Sequence, residues 1–136
     1  MPQLTGVAHI TLSVRDLDAS VGFYRRVLGF TVLGTRVTRQ TRTAQCRATC
    51  GLRVDLTRHA DGFNAVFDPR HAGADHIAFS VGSAAELEVW EERFARLDVE
   101  HDPVLHREEG SILAFADPDG IRLELFAPAE AGDESD

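Results

Sequence analysis

Two histidines, His9 and His76, occupy the same place in a segment that occurs twice, and each copy closes on a carboxylate, Asp55 in the first and Glu124 in the second. Imidazole nitrogens and carboxylate oxygens are donors that divalent cations accept, and three of them leave coordination positions free for water or substrate. A lone histidine on a strand ordinarily does no more than hydrogen-bond within its sheet. Two at equivalent repeat positions, with a carboxylate at each repeat end, point instead to an open divalent-metal site formed where the two copies converge on one cleft.

The repeat that carries them is explicit. Gly6-Val7-Ala8-His9-Ile10-Thr11-Leu12-Ser13-Val14 and Gly73-Ala74-Asp75-His76-Ile77-Ala78-Phe79-Ser80-Val81 share Gly-x-x-His-Ile-x-x-Ser-Val at an offset of 67 residues. Each copy leads into a helical pattern. Asp16 or Asp18 can cap the first, which carries Val21, Tyr24, Arg25 and Leu28 and ends at Gly29; Ser83 can cap the second, with Leu87, Trp90, Phe94 and Leu97. Short alternating segments follow: 30–37, 43–50 and 52–57 in the first half, 99–104, 111–116 and 121–127 in the second, with Asp117-Pro118-Asp119-Gly120 as a hairpin turn. Arg53-Val54-Asp55-Leu56 matches Arg122-Leu123-Glu124-Leu125 and closes the repeat. Each half therefore reads βαβββ, module one over about 6–59 and module two over about 73–127, within one domain over 1–127. Residues 128–136 are small and acidic and are expected to form a disordered tail.

Period-two alternation then sorts the faces. In the first strand Ile10, Leu12 and Val14 oppose His9, Thr11 and Ser13; in its copy Ile77, Phe79 and Val81 oppose His76, Ala78 and Ser80. In the closing strands Val54 and Leu56 oppose Arg53 and Asp55, while Leu123 and Leu125 oppose Arg122 and Glu124. One face of each strand packs on helices and the other carries His9, Asp55, His76 or Glu124. On that second face Arg47 is a candidate clamp for a substrate carboxylate or enolate oxygen. Arg122 and Arg53 flank the carboxylates and are placed to orient them or to meet substrate. Phe115 is a candidate wall of an apolar pocket. The remaining histidines read as surface residues.

Composition narrows the function classes. At 136 residues with 43% hydrophobic content the chain can build a core without disulfides or structural metals. Fourteen basic against 22 acidic side chains leave a formal charge of −8, which opposes binding to nucleic acid. No apolar run approaches the roughly 20 residues of a membrane span, and the first residues lack the pattern of a leader, so a soluble, cytoplasmic protein is expected. The basic residues are all arginine. Without lysine, Schiff-base chemistry, a lysine base and a phosphate-loop lysine are excluded. Cys46 and Cys50 fall in one expected strand, too far apart along it to bridge, and read as reduced core residues.

The segments from His9 to Phe30, from Asp75 to Val81 and from Phe115 to Leu125 resemble the vicinal oxygen chelate superfamily, which includes glyoxalase I, extradiol dioxygenases, fosfomycin resistance enzymes and bleomycin resistance proteins. The resemblance covers residues 6–127. It implies an α+β fold of two βαβββ modules forming an open, barrel-like mixed sheet, commonly a homodimer. It also implies a divalent metal ion (Zn, Ni, Mn, Co or Fe(II)) held by His9, His76 and Glu124 on the concave surface, with Asp55 where glyoxalase I carries a fourth ligand. Retention of the three ligands favours an enzyme over the metal-free binding proteins of the group. Glyoxalase-like isomerase or lyase chemistry, with Glu124 also serving as proton shuttle, is the leading expectation; the alternatives are an extradiol Fe(II) dioxygenase and a metal-free protein that sequesters a drug or natural product. Ser13 and His59 replace the glyoxalase residues that meet glutathione, Ala114 and Phe115 stand where an extradiol tyrosine is expected, and the fosfomycin-enzyme lysine is absent.

Overall fold

A computed structural model describes residues 1–130. The elements run β1 (His9–Ser13), α1 (Leu17–Leu28), β2 (Thr31–Val37), β3 (Thr41–Arg47), β4 (Arg53–His59), β5 (His76–Ser80), α2 (Ala84–Arg96), β6 (Leu105–His106), β7 (Gly110–Ala116) and β8 (Arg122–Pro128). They divide into two compact units, Met1–Val66 and the chain from Phe67 onward. Each unit is a four-stranded mixed sheet with one helix, ordered β1-β4-β3-β2 in the first and β5-β8-β7-β6 in the second. Both are βαβββ in the predicted order, and each sheet is open, with β1 or β5 at one edge.

Local chemistry starts and stops the helices. Asp16 rather than Asp18 caps α1, its carboxylate accepting the Ala19 N–H at 3.1 Å. Gly29 ends that helix in the left-handed region at φ 73°, donating to the Arg25 carbonyl while Phe30 donates to that of Tyr24. Ser83 caps α2 through the Glu86 N–H. The buried side of α1 (Leu17, Ser20, Tyr24, Val27 and Leu28) covers Val54 and Leu56 of β4 and Ala44 and Cys46 of β3. In the second unit Leu87 and Phe94 of α2 pack on Leu113, Leu123 and Leu125. No helix among the described residues is long and apolar enough to cross a membrane.

Several expected boundaries move. The strand predicted over 99–104 is reduced to one bridge, His101 with Phe115, and β6 is a two-residue strand that begins only at Leu105. Pro103 has no N–H to extend a ladder there. At the other end of the module β8 runs on through Pro128, which pairs with Gly110, so the acidic tail does not start at residue 128. Residues 131–136 of that expected tail lie outside the described residues.

Cys50 also departs from expectation. β3 stops at Arg47, and the chain turns through Gly51 at φ 95°, with the Ala48 N–H donating to the Leu52 carbonyl. Cys50 lies in that turn and is exposed, whereas Cys46 is buried in β3. Burial pushes the Cys46 thiol above its ordinary range, and the Asp55 charge adds to the shift. Native protein should therefore yield one fast-reacting thiol per chain to a thiol reagent, and Cys50→Ser should remove it. Equal reactivity of both cysteines before unfolding would contradict this arrangement.

Candidate functional site

Register places the two repeat carboxylates on equivalent rungs. In unit one β1 runs parallel to β4 with His9 beside Arg53 and Thr11 beside Asp55; in unit two β5 runs parallel to β8 with His76 beside Arg122 and Ala78 beside Glu124. Partners on neighbouring strands project to the same side, so each histidine shares a face with the carboxylate of its own unit, opposite the helix.

The two carboxylates nevertheless meet different neighbours. Asp55 is buried, and both its oxygens lie 3.0 Å from Nη2 of Arg53. It also accepts the Cys46 N–H at 3.3 Å, between the β3–β4 pairs Ala44↔Leu56 and Arg47↔Arg53. Arg53 thus orients its carboxylate, as expected, and occupies it. Thr43 and Thr57 join their hydroxyls at 2.8 Å further along, and Ser13 meets Nε2 of His59 at 3.3 Å. His9 is exposed at the start of β1, and Arg47 is exposed on the side that carries Arg53 and Asp55.

In unit two Glu124 is half-buried and its Oε2 lies 3.4 Å from Nε2 of His76. The other ring nitrogen, Nδ1, is 2.8 Å from Oδ1 of Asp75. The Asp117 turn sets this arrangement: Asp117 Oδ1 accepts the N–H groups of Asp119 and Ile121, each at 2.9 Å, and Gly120 takes φ 80°. The β7–β8 hairpin that follows brings Ala114 opposite Glu124 and Ala116 opposite Arg122. With only methyl side chains at those rungs, the sheet leaves an open concavity of about 940 Å³ bordered by Glu124, Arg122, His101, Ala114, Ile112 and Leu105. Arg122 is exposed along it. Hydrogen bonds from Arg70 hold the Asp68 carboxyl at about 2, with small additions from the charges of His71 and Arg122.

Phe115 both borders this concavity and packs into the core. It pairs with Leu123, on the helix side of the sheet; it is buried, and its ring centroid is 4.7 Å from that of Phe94 on α2. Asp75 is the residue that sequence reasoning passed over. Its signal was an aspartate directly before His76 where the other copy has Ala8.

Among the described residues no group of three or more His, Cys, Asp or Glu side chains is gathered into a cluster able to hold a metal ion. What unit two brings together is the pair His76 and Glu124, an imidazole nitrogen and a carboxylate oxygen of the kind that borderline divalent ions accept. His9 and Asp55 belong to unit one.

Comparison with known proteins agrees with this architecture. A crystal structure of a glyoxylase/bleomycin resistance protein/dioxygenase domain from Frankia sp. EAN1pec is 37% identical, covers 93% of this chain and 99% of that one, and superposes with a TM-score of 0.87. Lactoylglutathione lyase of Escherichia coli O157:H7 is 30% identical over 91% of this chain and 93% of its own length. MhqA of Bacillus subtilis (strain 168), named for ring-cleaving dioxygenase activity, is 29% identical over 94% of this chain, which spans only 42% of that protein. The sequence profile of the Glyoxalase/Bleomycin resistance protein/Dioxygenase superfamily matches residues 6–125. The βαβββ units, their equivalent histidine and carboxylate rungs and this match over nearly the whole length lead to one conclusion: the chain belongs to the Glyoxalase/Bleomycin resistance protein/Dioxygenase superfamily.

Proposed function

We propose that the protein is a divalent-metal-dependent enzyme that binds a small oxygenated substrate through two of its oxygens and performs glyoxalase-like isomerase or lyase chemistry. The observation that carries this reading is the 3.4 Å approach of His76 Nε2 to Glu124 Oε2 on the open face of the second sheet. His9 supplies the third donor. β1 and β5, which begin with the two histidines, are each an edge strand of their own sheet, and free edges favour pairing with another chain. Accordingly, the protein works as a homodimer in which His9 of one protomer completes the His76 and Glu124 pair of its partner.

When bound there, a divalent cation supplies Lewis acidity for an enolate or oxyanion developing on the substrate. The protein does the rest. Glu124 accepts a substrate proton and returns it, a role that suits a half-buried carboxylate facing the open concavity. Arg122, on the same face, binds an anionic oxygen of the substrate. Ala114 and Ala116 leave the room that the substrate occupies, and Leu105 and Ile112 receive its apolar portion. Asp55, held by Arg53, keeps the unit-one face in register and stays outside the coordination sphere, while Arg47 beside it meets substrate from that side.

The similarity to MhqA favours a second reading, ring cleavage with Fe(II), for which two histidines and one carboxylate form the usual triad. Two measurements decide. Protein purified without added metal should carry a divalent ion in stoichiometric amount by elemental analysis; a metal-free protein that still binds small aromatic or peptide ligands would move the assignment to a sequestering protein. Turnover of 2-oxoaldehyde adducts or epimerisable acids under strict anaerobiosis would support the isomerase or lyase reading, and turnover of catechols that requires oxygen would replace it.

A further inference from the structure

We propose that Asp75 is a positioning residue that selects which nitrogen of His76 is offered to the cation; this rests on the reading that His76 and Glu124 hold a metal. An ionised carboxylate can only accept hydrogen bonds, so the 2.8 Å contact between Asp75 Oδ1 and His76 Nδ1 requires the proton on Nδ1. A neutral imidazole carries a single proton. Glu124 is an acceptor too, but at 3.4 Å from Nε2 it lies beyond ordinary hydrogen-bond distance, so the shorter bond to Asp75 takes the proton and Nε2 keeps the lone pair on the side that faces Glu124. A neutral imidazole free in water favours the opposite tautomer, with the proton on Nε2, in which the nitrogen facing Glu124 could not bind a cation. Asp75 reverses that preference before any metal arrives, and its hydrogen bond also fixes the ring against rotation.

The repeat sharpens the inference. The two copies share Gly-x-x-His-Ile, yet the residue before the histidine is Ala8 in one and Asp75 in the other. Alanine offers no acceptor side chain, so the two histidines are unequal partners: His76 is preset, and His9 takes up its ligating tautomer on binding.

The test uses full-length protein labelled with ¹⁵N at histidine, stripped of metal and held at a pH where imidazole is neutral. Two-bond ¹H–¹⁵N correlations should show the Nδ1–H pattern for His76 in the parent and the Nε2–H pattern in Asp75→Ala. Asp75 is well exposed, so the substitution should leave the fold intact. Zn²⁺ titration by calorimetry should show affinity lowered about 10–100-fold in Asp75→Ala. Asp75→Asn, whose amide oxygen still accepts from Nδ1–H, should stay closer to the parent. An Nε2–H pattern for His76 in the parent would overturn the proposal, as would Asp75→Ala binding Zn²⁺ within about twofold of the parent while His76→Ala loses it. A His76→Ala variant that binds as the parent does would instead defeat the metal reading itself, and the selection of a ligating nitrogen would fall with it.

Discussion

Glu124→Gln and His9→Ala, each inactive alone, should recover activity when mixed and allowed to exchange subunits. Removing a direct ligand should weaken divalent-cation binding by more than the roughly 10–100-fold that loss of an outer partner costs. Glutamine is nearly isosteric with the half-buried Glu124 but carries no charge and no proton-accepting oxygen of comparable strength. In a mixed dimer one site pairs the two damaged residues, and the other pairs an intact His9 with an intact His76 and Glu124. Half of randomly assorted dimers are mixed, so about one quarter of the parental sites should return. If His9 served the site of its own chain, both sites of the mixed dimer would carry a lesion and nothing would return. Metal stoichiometry measured on the same mixture gives a second reading of the same fraction. A mixture no more active than its components would remove the shared site from the proposal, and single variants that keep full cation affinity would remove the ligands.

Phe94→Ala should be the most damaging core substitution in the second unit, costing about 3–5 kcal/mol. Phe94 is fully buried, and its ring lies 4.7 Å from Phe115, 5.7 Å from His101 and 6.0 Å from Trp90. Truncation removes these ring contacts and leaves a cavity under β7, which the close-packed sheet can fill only in part. Because the whole domain has only about 5–15 kcal/mol of stability, such a loss is a large share of it and should lower Tm by roughly 10–20 °C. Val89→Ala is the control. Val89 is exposed on the same helix, so its replacement should change stability by less than about 0.5 kcal/mol. Urea unfolding with an unchanged slope would show that the difference is one of native stability, and equal midpoints for the two variants would refute the account. The site should feel the change too, because β7 carries Ala114 opposite Glu124.

Much of this architecture can be read from the chain because the rules that produce it are local. The Gly-x-x-His-Ile-x-x-Ser-Val duplication revealed two units before any coordinates, and βαβββ order followed from the period of the apolar residues in each. Asp16, Gly29 and Ser83 mark helix ends through backbone groups three or four residues away. Alternation placed His76 and Glu124 on one face because neighbouring strands in register project equivalent residues to the same side. The same alternation could have assigned Phe115, which shares its parity with Leu113, to the core.

Tertiary structure decided what each side chain meets there. Asp55 and Glu124 are equivalent in sequence and on equivalent rungs, yet Arg53 engages one while His76 stands beside the other. Arg53 and Arg122 also occupy matching positions, so spacing alone could not separate the two cases. Cys50 was assigned to a strand by apolar spacing, and the turn through Gly51 left it exposed. The predicted strand over 99–104 failed because a strand exists only where a neighbour supplies hydrogen bonds, and Pro103 interrupts that supply. Sequence by itself determined the duplicated modules, their helix caps and the face that each histidine and carboxylate occupies, since these depend on backbone period and neighbours a few residues away. The fold alone determined that the second carboxylate is the one left beside an imidazole, because that outcome depends on which distant side chains the strand register brings within hydrogen-bonding distance.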